Sequence, residues 1–150
     1  MNRWQLGLGA LLAVMTTAAV PLRAADQESS DPVVQYRRDV MKGIGANAAA
    51  IGQILRSNLP QTQNLALHAQ VISLSAHAAL TAFEPKVVDG AAKPEVWEHW
   101  KDFVERLNKL AAAADEVSKA AQEGGPDAAK AKINLLLPMC KDCHDTYKRK

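Results

Sequence analysis

The residues with the most specific chemistry stand close together near the end of the chain, as Cys140-Lys141-Asp142-Cys143-His144. The pattern C-x-x-C-H is the attachment signature for c-type haem. Two cysteines three positions apart share one face of a helix, so both sulfurs can bond the two vinyl groups of one haem. His144 follows on the same face and can supply an axial iron ligand. The motif therefore predicts one covalently attached haem c.

Three other interpretations of the two cysteines each leave something unexplained. A thioredoxin-like redox pair would sit near a βαβ pattern, which the sequence does not show. A structural zinc site needs four ligands, and no second cysteine or histidine pair stands at a suitable spacing. A disulfide is common in exported proteins, but it leaves His144 without a role. Haem attachment accounts for Cys140, Cys143 and His144 together.

The chain opens with the features of an export signal. A positive start at Arg3 precedes the apolar residues 6–20 and a small-residue cleavage site. Because that run is shorter than the ~20 apolar residues of a membrane-spanning helix, we predict a cleaved signal peptide, residues 1–25. The mature domain, residues 26–150, is then expected in the periplasm without membrane attachment. Losing Arg3 and Arg23 from 18 basic residues balances the 16 acidic ones, which gives no general affinity for nucleic acid.

Apolar residues recur at helical spacing in four segments, and no stretch keeps the alternation of a strand. Asp31 is the predicted N-cap of the first helix, and Pro60 ends that helix. The second helix covers about 61–81, the third begins at Pro94, and the fourth follows the break at 124–126. Four amphipathic helices with short connections predict an all-α, antiparallel up-down-up-down four-helix bundle. The predicted core face of the second helix consists of Leu67, Val71, Leu74 and Ala78.

Residues 140–148 resemble the C-terminus of the class II cytochromes c, the cytochrome c′ family. Residues 36–42 are similar to that family's first helix, and residues 93–97 to the opening of its third. Most c-type cytochromes carry the motif near the N-terminus, so its place in the last turn is typical of this family. The resemblance covers the mature chain and implies haem bound near the C-terminal end of the last helix. The chain departs from the family at Lys148, where arginine is common, and at Pro138, which is expected to kink the last helix.

The resemblance places Met41 over the haem face opposite His144. Low-spin members carry a methionine ligand there, whereas gas-binding members often have leucine. The two residues are expected at similar heights in the bundle, ~14 Å and ~9 Å from adjacent helix ends. We predict Met41 as the sixth ligand, with core packing as the alternative, and Arg37 as a partner of a haem propionate, with a solvated charge as the alternative. A histidine sixth ligand is a further alternative, drawn from His68, His77 and His99.

The sixth iron position leads to two candidate functions. We predict that a haem held by His144 and Met41 carries single electrons between periplasmic redox proteins. The alternative is a five-coordinate iron that binds nitric oxide or carbon monoxide. No paired carboxylates and no nucleophile–base pair stand out near the motif, so we predict that the chain is not an enzyme. The predicted partners are redox proteins and, in a homodimer, a second copy of the chain.

Overall fold

A computed structural model of the chain describes residues 29–150. The predicted signal peptide, residues 1–25, lies outside the described residues, and its cleavage stays a prediction. The helices, in chain order, are α1 (Pro32–Arg56), α2 (Asn64–Phe83), α3 (Glu95–Glu98) and α4 (Trp100–Tyr147). Within the described residues, strand-like pairing is limited to one antiparallel bridge between Ala92 and Lys148.

The helix α4 folds back on itself and supplies two of the four long helices of the bundle. Its backbone departs from helical geometry at Gly125, where φ is +71° and ψ is −163°, a conformation that is essentially restricted to glycine. We call residues 100–124 the first arm of α4 and residues 126–147 its second arm. The arms are antiparallel, since the rings of Phe103 and Tyr147 lie 5.2 Å apart at the far end. With α1 and α2 they form the predicted four-helix bundle.

Local sequence signals explain where α1 begins, and the backbone angles show where α4 is interrupted. The Asp31 carboxylate accepts hydrogen bonds from the backbone N–H groups of Val33, at 2.8 Å, and Val34, at 3.3 Å. These are two of the donors that the start of a helix leaves unpaired. Inside α4 the non-helical backbone angles are at Gly125 and not at Pro138, and the expected kink at Pro138 stays a prediction.

The structure overturns the predicted core face of α2. Leu67, Val71 and Leu74 are 58%, 41% and 66% exposed. The buried residues of this helix are Leu65, Ala66, Ala69, Ile72, Ser73, Ala76, Ala79, Ala82 and Phe83. Small side chains let neighbouring helices approach closely, and α2 packs against both α1 and α4. By length and composition alone α2 could cross a membrane, and 44% of its most apolar window is buried inside the bundle.

Buried side chains form two clusters inside the bundle. The central cluster consists of Ile44, Ile51, Ile54, Leu65, Ala69, Ile72, Ala76, Leu110, Ala111, Ala114, Val117, Ala129, Ile133 and Leu136. The aromatic cluster consists of Ala79, Ala82, Phe83, Ala92, Val96, Phe103, Leu107 and Tyr147. The central cluster joins α1, α2 and both arms of α4. The aromatic cluster joins the last turns of α2 and α4 to α3 and the start of α4.

Candidate haem site

The two cysteines of the motif lie where the clusters meet. Both are half-buried on the second arm of α4. Cys140 packs against the central cluster, and Cys143 packs against the aromatic cluster. The second arm thus holds both sulfurs at an apolar surface, which is the environment that a haem edge needs.

Burial sets the protonation state of these thiols. Loss of hydration raises the pKa of Cys140, and the same cause raises the pKa of Cys143. A raised pKa keeps a thiol neutral and makes it a poor thiolate nucleophile or metal ligand. A thioether to haem carries no charge, so covalent attachment is compatible with this apolar position.

His144 lies in the last turn of α4 with an exposed side chain. Partial desolvation, and then the charge of Lys148, lower the pKa of His144. The imidazole is therefore favoured in its neutral form, which is the form that binds a metal ion. An open cavity of about 210 Å³ beside it is lined by His144, Asp145, Lys148, Arg149 and Lys150.

Met41 occupies the interior of α1 and touches both apolar clusters. Its half-buried side chain packs against the central cluster and against the aromatic cluster. Cys140 and Cys143 contact the same two clusters from the second arm of α4. Met41 and the two cysteines therefore contact the same pair of clusters, and the predicted place of Met41 over the haem stays a prediction.

Arg37 is buried, with only 3% of its surface exposed. Its Nη2 donates a hydrogen bond to the backbone carbonyl of Asp89 at 2.5 Å, and its guanidinium carbon lies 5.5 Å from the Phe83 ring centre and 5.3 Å from that of Trp97. Burial is the main cause of the lowered pKa of Arg37. Among the described residues its buried Nη1 has no hydrogen-bond partner. A solvated surface charge, the alternative interpretation, does not describe this side chain.

That orphaned donor provides a test of whether the site fits haem. A buried N–H group without a partner is costly, and guanidinium groups pair strongly with carboxylates. A haem propionate would supply the missing acceptor for Nη1 of Arg37. The residues present therefore fit a haem with a propionate directed at α1.

The other histidines have places in the fold that require no iron. His68 Nδ1 lies 2.8 Å from Asn47 Oδ1, in a polar contact between α2 and α1. His77 is exposed on α2, and His99 is exposed between α3 and α4. These positions give the alternative of a histidine sixth ligand no support.

Sequence reasoning missed the contribution of the connection between α2 and α3. The Asp89 carbonyl holds Arg37, and Lys93 bonds to the end of α4. A backbone carbonyl has no sequence signature, and Lys93 stood out only as part of the stretch that resembles the family's third helix. Trp97, assigned to core packing, also donates from Nε1 to the Phe83 carbonyl at 2.8 Å.

Comparisons with known proteins match this arrangement to one family. The family model described as Cytochrome C′ matches residues 32–148. The cytochrome c′ of Rhodospirillum rubrum is 32% identical over 93% of this chain and 94% of the relative. The cytochrome c′ of Pararhodospirillum photometricum is 30% identical over 80% of this chain and 98% of the relative. The cytochrome c-556 of Agrobacterium tumefaciens is 34% identical over 78% of this chain and 97% of the relative.

Solved structures give the same fold. The crystal structure of cytochrome c′ from Rubrivivax gelatinosus is 27% identical, with a TM-score of 0.69 over 78% of this chain and 94% of that one. The recombinant cytochrome c prime from Alcaligenes xylosoxidans is 23% identical, with a TM-score of 0.71 over 79% and 94%. The second comparison concerns the fold alone.

These relationships decide between the two predicted functions. The prediction of an electron carrier with a haem held by His144 and Met41 is wrong, because relatives that cover 78% to 93% of this chain are named cytochrome c′, which matches the five-coordinate alternative. The same relationships do not support the predicted low-spin subtype with a methionine ligand. The predicted cofactor, a covalently attached haem c with its iron, is confirmed, and so is the prediction of a haem protein that is not an enzyme. The chain belongs to the cytochrome c′ family, the class II cytochromes c.

Proposed function

We propose that this protein binds nitric oxide or carbon monoxide at a five-coordinate haem iron, with His144 as the axial protein ligand. The observation that carries the proposal is the relationship, at 32% and 30% identity, to proteins named cytochrome c′. When bound, the haem iron supplies the position at which a diatomic gas is held. A mutant of the Alcaligenes xylosoxidans cytochrome c prime forms a nitric oxide complex, which makes nitric oxide the first gas to test.

Cys140 and Cys143 are proposed to hold the haem through thioethers to its vinyl groups. Their half-buried sulfurs lie on the apolar junction described above. In the wild type, haem should stay with the polypeptide through acid–acetone extraction, whereas the double replacement Cys140→Ala and Cys143→Ala should release it. Free haem recovered from the wild type would contradict attachment at this motif.

Met41 is proposed to cover the distal side of the haem as an apolar side chain. Its packing against both clusters accounts for its position without a bond to iron. A thioether offers only a weak hydrogen-bond acceptor and no donor, so it gives little support to a bound water. A neutral diatomic gas needs no such support, and an apolar cover therefore favours it over water.

The absorption spectrum of the purified ferric protein tests the open iron position. The wild type should be high-spin and should bind carbon monoxide when reduced. Met41→Leu should also be high-spin, because leucine has a similar volume and no bond to iron is lost. Met41→Ala should bind carbon monoxide faster, because the distal cover is smaller. A low-spin wild type that becomes high-spin in Met41→Leu would show that Met41 is a ligand and would overturn the proposal.

Arg37 is proposed to bind a haem propionate through Nη1. Its Nη2 is held by the Asp89 carbonyl, and the Phe83 and Trp97 rings lie within 5.5 Å of the guanidinium carbon. These contacts fix the guanidinium plane, so Nη1 needs little reorganisation to meet a carboxylate. The position of the haem edge would then be set by α1 as well as by the second arm of α4.

The periplasm is the proposed location. The predicted signal peptide of residues 1–25 supports it. Redox proteins that reduce the iron stay predicted partners. Fractionation of cells that express the full chain should recover the haem protein, shortened by about the signal length, in the periplasmic extract.

A second copy of the chain is the partner that the exposed face of α2 fits best. Leu67, Val71 and Leu74 follow one another at spacings of four and three residues and are 58%, 41% and 66% exposed. The helix contains no Asp, Glu, Lys or Arg, so no charge opposes burial of this face. A two-fold dimer brings the same apolar stripe of both copies together.

Sedimentation at several protein concentrations tests the proposed homodimer. The wild type should be dimeric at micromolar concentration, and Leu74→Glu should shift it to the monomer because a buried carboxylate at the interface would lack a partner. Leu135→Glu is the matched control, since Leu135 is 69% exposed on the second arm of α4. A monomeric wild type, or equal effects of the two substitutions, would contradict dimerisation through α2.

A further inference from the structure

The last turn of α4 carries His144 and ends in four backbone carbonyls that have no partner within the helix. The His144 carbonyl accepts a hydrogen bond from the backbone N–H of Lys148 at 3.0 Å. Each of the other three carbonyls accepts from Lys93. Its ammonium Nζ donates to the carbonyls of Asp145, at 3.2 Å, and Thr146, at 3.0 Å, and its backbone N–H donates to that of Tyr147 at 3.0 Å.

Lys93 is held in place by backbone pairing rather than by its side chain alone. Ala92 and Lys148 form an antiparallel bridge. Arg149 donates from its backbone N–H to the Ala91 carbonyl at 2.8 Å and from Nη1 to the Gly90 carbonyl at 3.1 Å. Residues 90–93 therefore run beside the end of α4 as a short strap. The positive charge of the ammonium also lies at the negative end of the helix dipole.

We propose that Lys93 is a positioning residue for His144, an inference that rests on the proposed five-coordinate haem. The imidazole that binds iron is attached to the terminal turn of a helix, and such turns fray when their carbonyls lack partners. By satisfying three of the four carbonyls, Lys93 keeps this turn helical and fixes the direction from which His144 approaches the iron. It does so without touching the haem.

The test compares the haem-bound wild type with Lys93→Met, Lys93→Arg and Lys86→Met. Methionine keeps the stem and the backbone donor but removes the ammonium, whereas arginine keeps the donors. Lys86 is the matched control, because it is an exposed lysine in the same connection between α2 and α3. The first measurement is the iron–histidine stretching band in the resonance Raman spectrum of the reduced protein. The second is hydrogen exchange of the Lys148 amide, which reports the bond to the His144 carbonyl.

Lys93→Met should shift or broaden the iron–histidine band and speed exchange of the Lys148 amide by about tenfold or more, since a hydrogen bond to a charged group contributes enough for that factor. Lys93→Arg should restore both signals, and Lys86→Met should change neither. If Lys93→Met accumulates too little holoprotein, Lys93→Leu, which also lacks a side-chain donor, replaces it in the same comparison.

Two results would overturn the inference and are distinguishable from failure of the proposed function. If the iron–histidine band is unchanged in Lys93→Met while exchange of the Lys148 amide accelerates, the hydrogen bonds of Lys93 stabilise the turn but do not position His144. If exchange of the Lys148 amide is also unchanged, the Lys93 ammonium does not stabilise the turn at all. A wild type without any iron–histidine band would instead overturn the five-coordinate iron, and the inference with it.

Discussion

Replacing Arg37 with methionine should destabilise the haem-bound protein by about 3–5 kcal/mol, the cost of breaking a buried ion pair. The bond from Nη2 to the Asp89 carbonyl, at 2.5 Å, accounts for about 1.5–3 kcal/mol of this, as a hydrogen bond from a charged group. Contacts with the rings of Phe83 and Trp97 add about 0.5–2 kcal/mol each. Relief of the desolvated guanidinium offsets part of the loss. Methionine would also leave the propionate without its partner.

Guanidinium chloride unfolding of the holoprotein measures this loss. Lys42→Met is the control, because Lys42 is exposed on the same helix and forms a surface ion pair with Asp39 at 3.6 Å, for which about 0.2–1 kcal/mol is expected. The slope of the unfolding free energy against denaturant should be the same in all three proteins. A loss in Arg37→Met no larger than in Lys42→Met would refute a stabilising role for the buried Arg37 side chain.

Two further predictions concern the backbone of α4 and its last turn. Gly125→Ala should lower the free energy of unfolding by about 1–3 kcal/mol, because φ at this position is +71°. Gly45→Ala, on α1 with open space around the added carbon, should instead raise the free energy of unfolding by about 0.5–1 kcal/mol. Denaturant unfolding measures both changes. Burial, and then the hydrogen bond to the Asp102 carboxylate, raise the pKa of Tyr147 to about 12 from 10.0. A raised pKa stabilises the fold below pH 10 and loses that contribution as the pH approaches 12, so Tyr147→Phe should unfold with a weaker pH dependence across that range, and an unchanged dependence would contradict the assignment.

The bundle could be predicted from the sequence because its helices are bounded by strong signals. Asp31 caps α1 where the sequence indicated, and the break at Gly125 separates the two arms of α4. The orientation of α2 could not be predicted, because its apolar residues lie on more than one face of the helix and it has no Asp, Glu, Lys or Arg to mark the outer face. Close packing determines which face of α2 is buried. Alanines such as Ala69 and Ala76 face the core, and larger residues such as Leu74 remain outside.

The site was predictable in its chemistry and less so in its coordination. The motif of Cys140, Cys143 and His144 indicated haem directly, since few other sites use these residue types at this spacing. Met41 was predicted as a ligand, but its residue type is equally suited to packing and to iron ligation. The relationship to proteins named cytochrome c′ corrected that choice. Arg37 was predicted as a propionate partner, and its complete burial and orphaned Nη1 required the fold.

The connection between α2 and α3 links the two sides of the proposed haem. Its Asp89 carbonyl holds Arg37 of α1, whereas Lys93, four residues later, caps the turn that carries His144. One short stretch of backbone thus contacts both Arg37, the proposed propionate partner, and the helix turn that carries His144, the proposed iron ligand. Gly90 within it has φ of +62°, and a carbon added there would lie 2.8 Å from a Val34 methyl group. This close approach leaves the stretch little freedom to shift along α1, so Asp89 and Lys93 both keep a defined place relative to that helix.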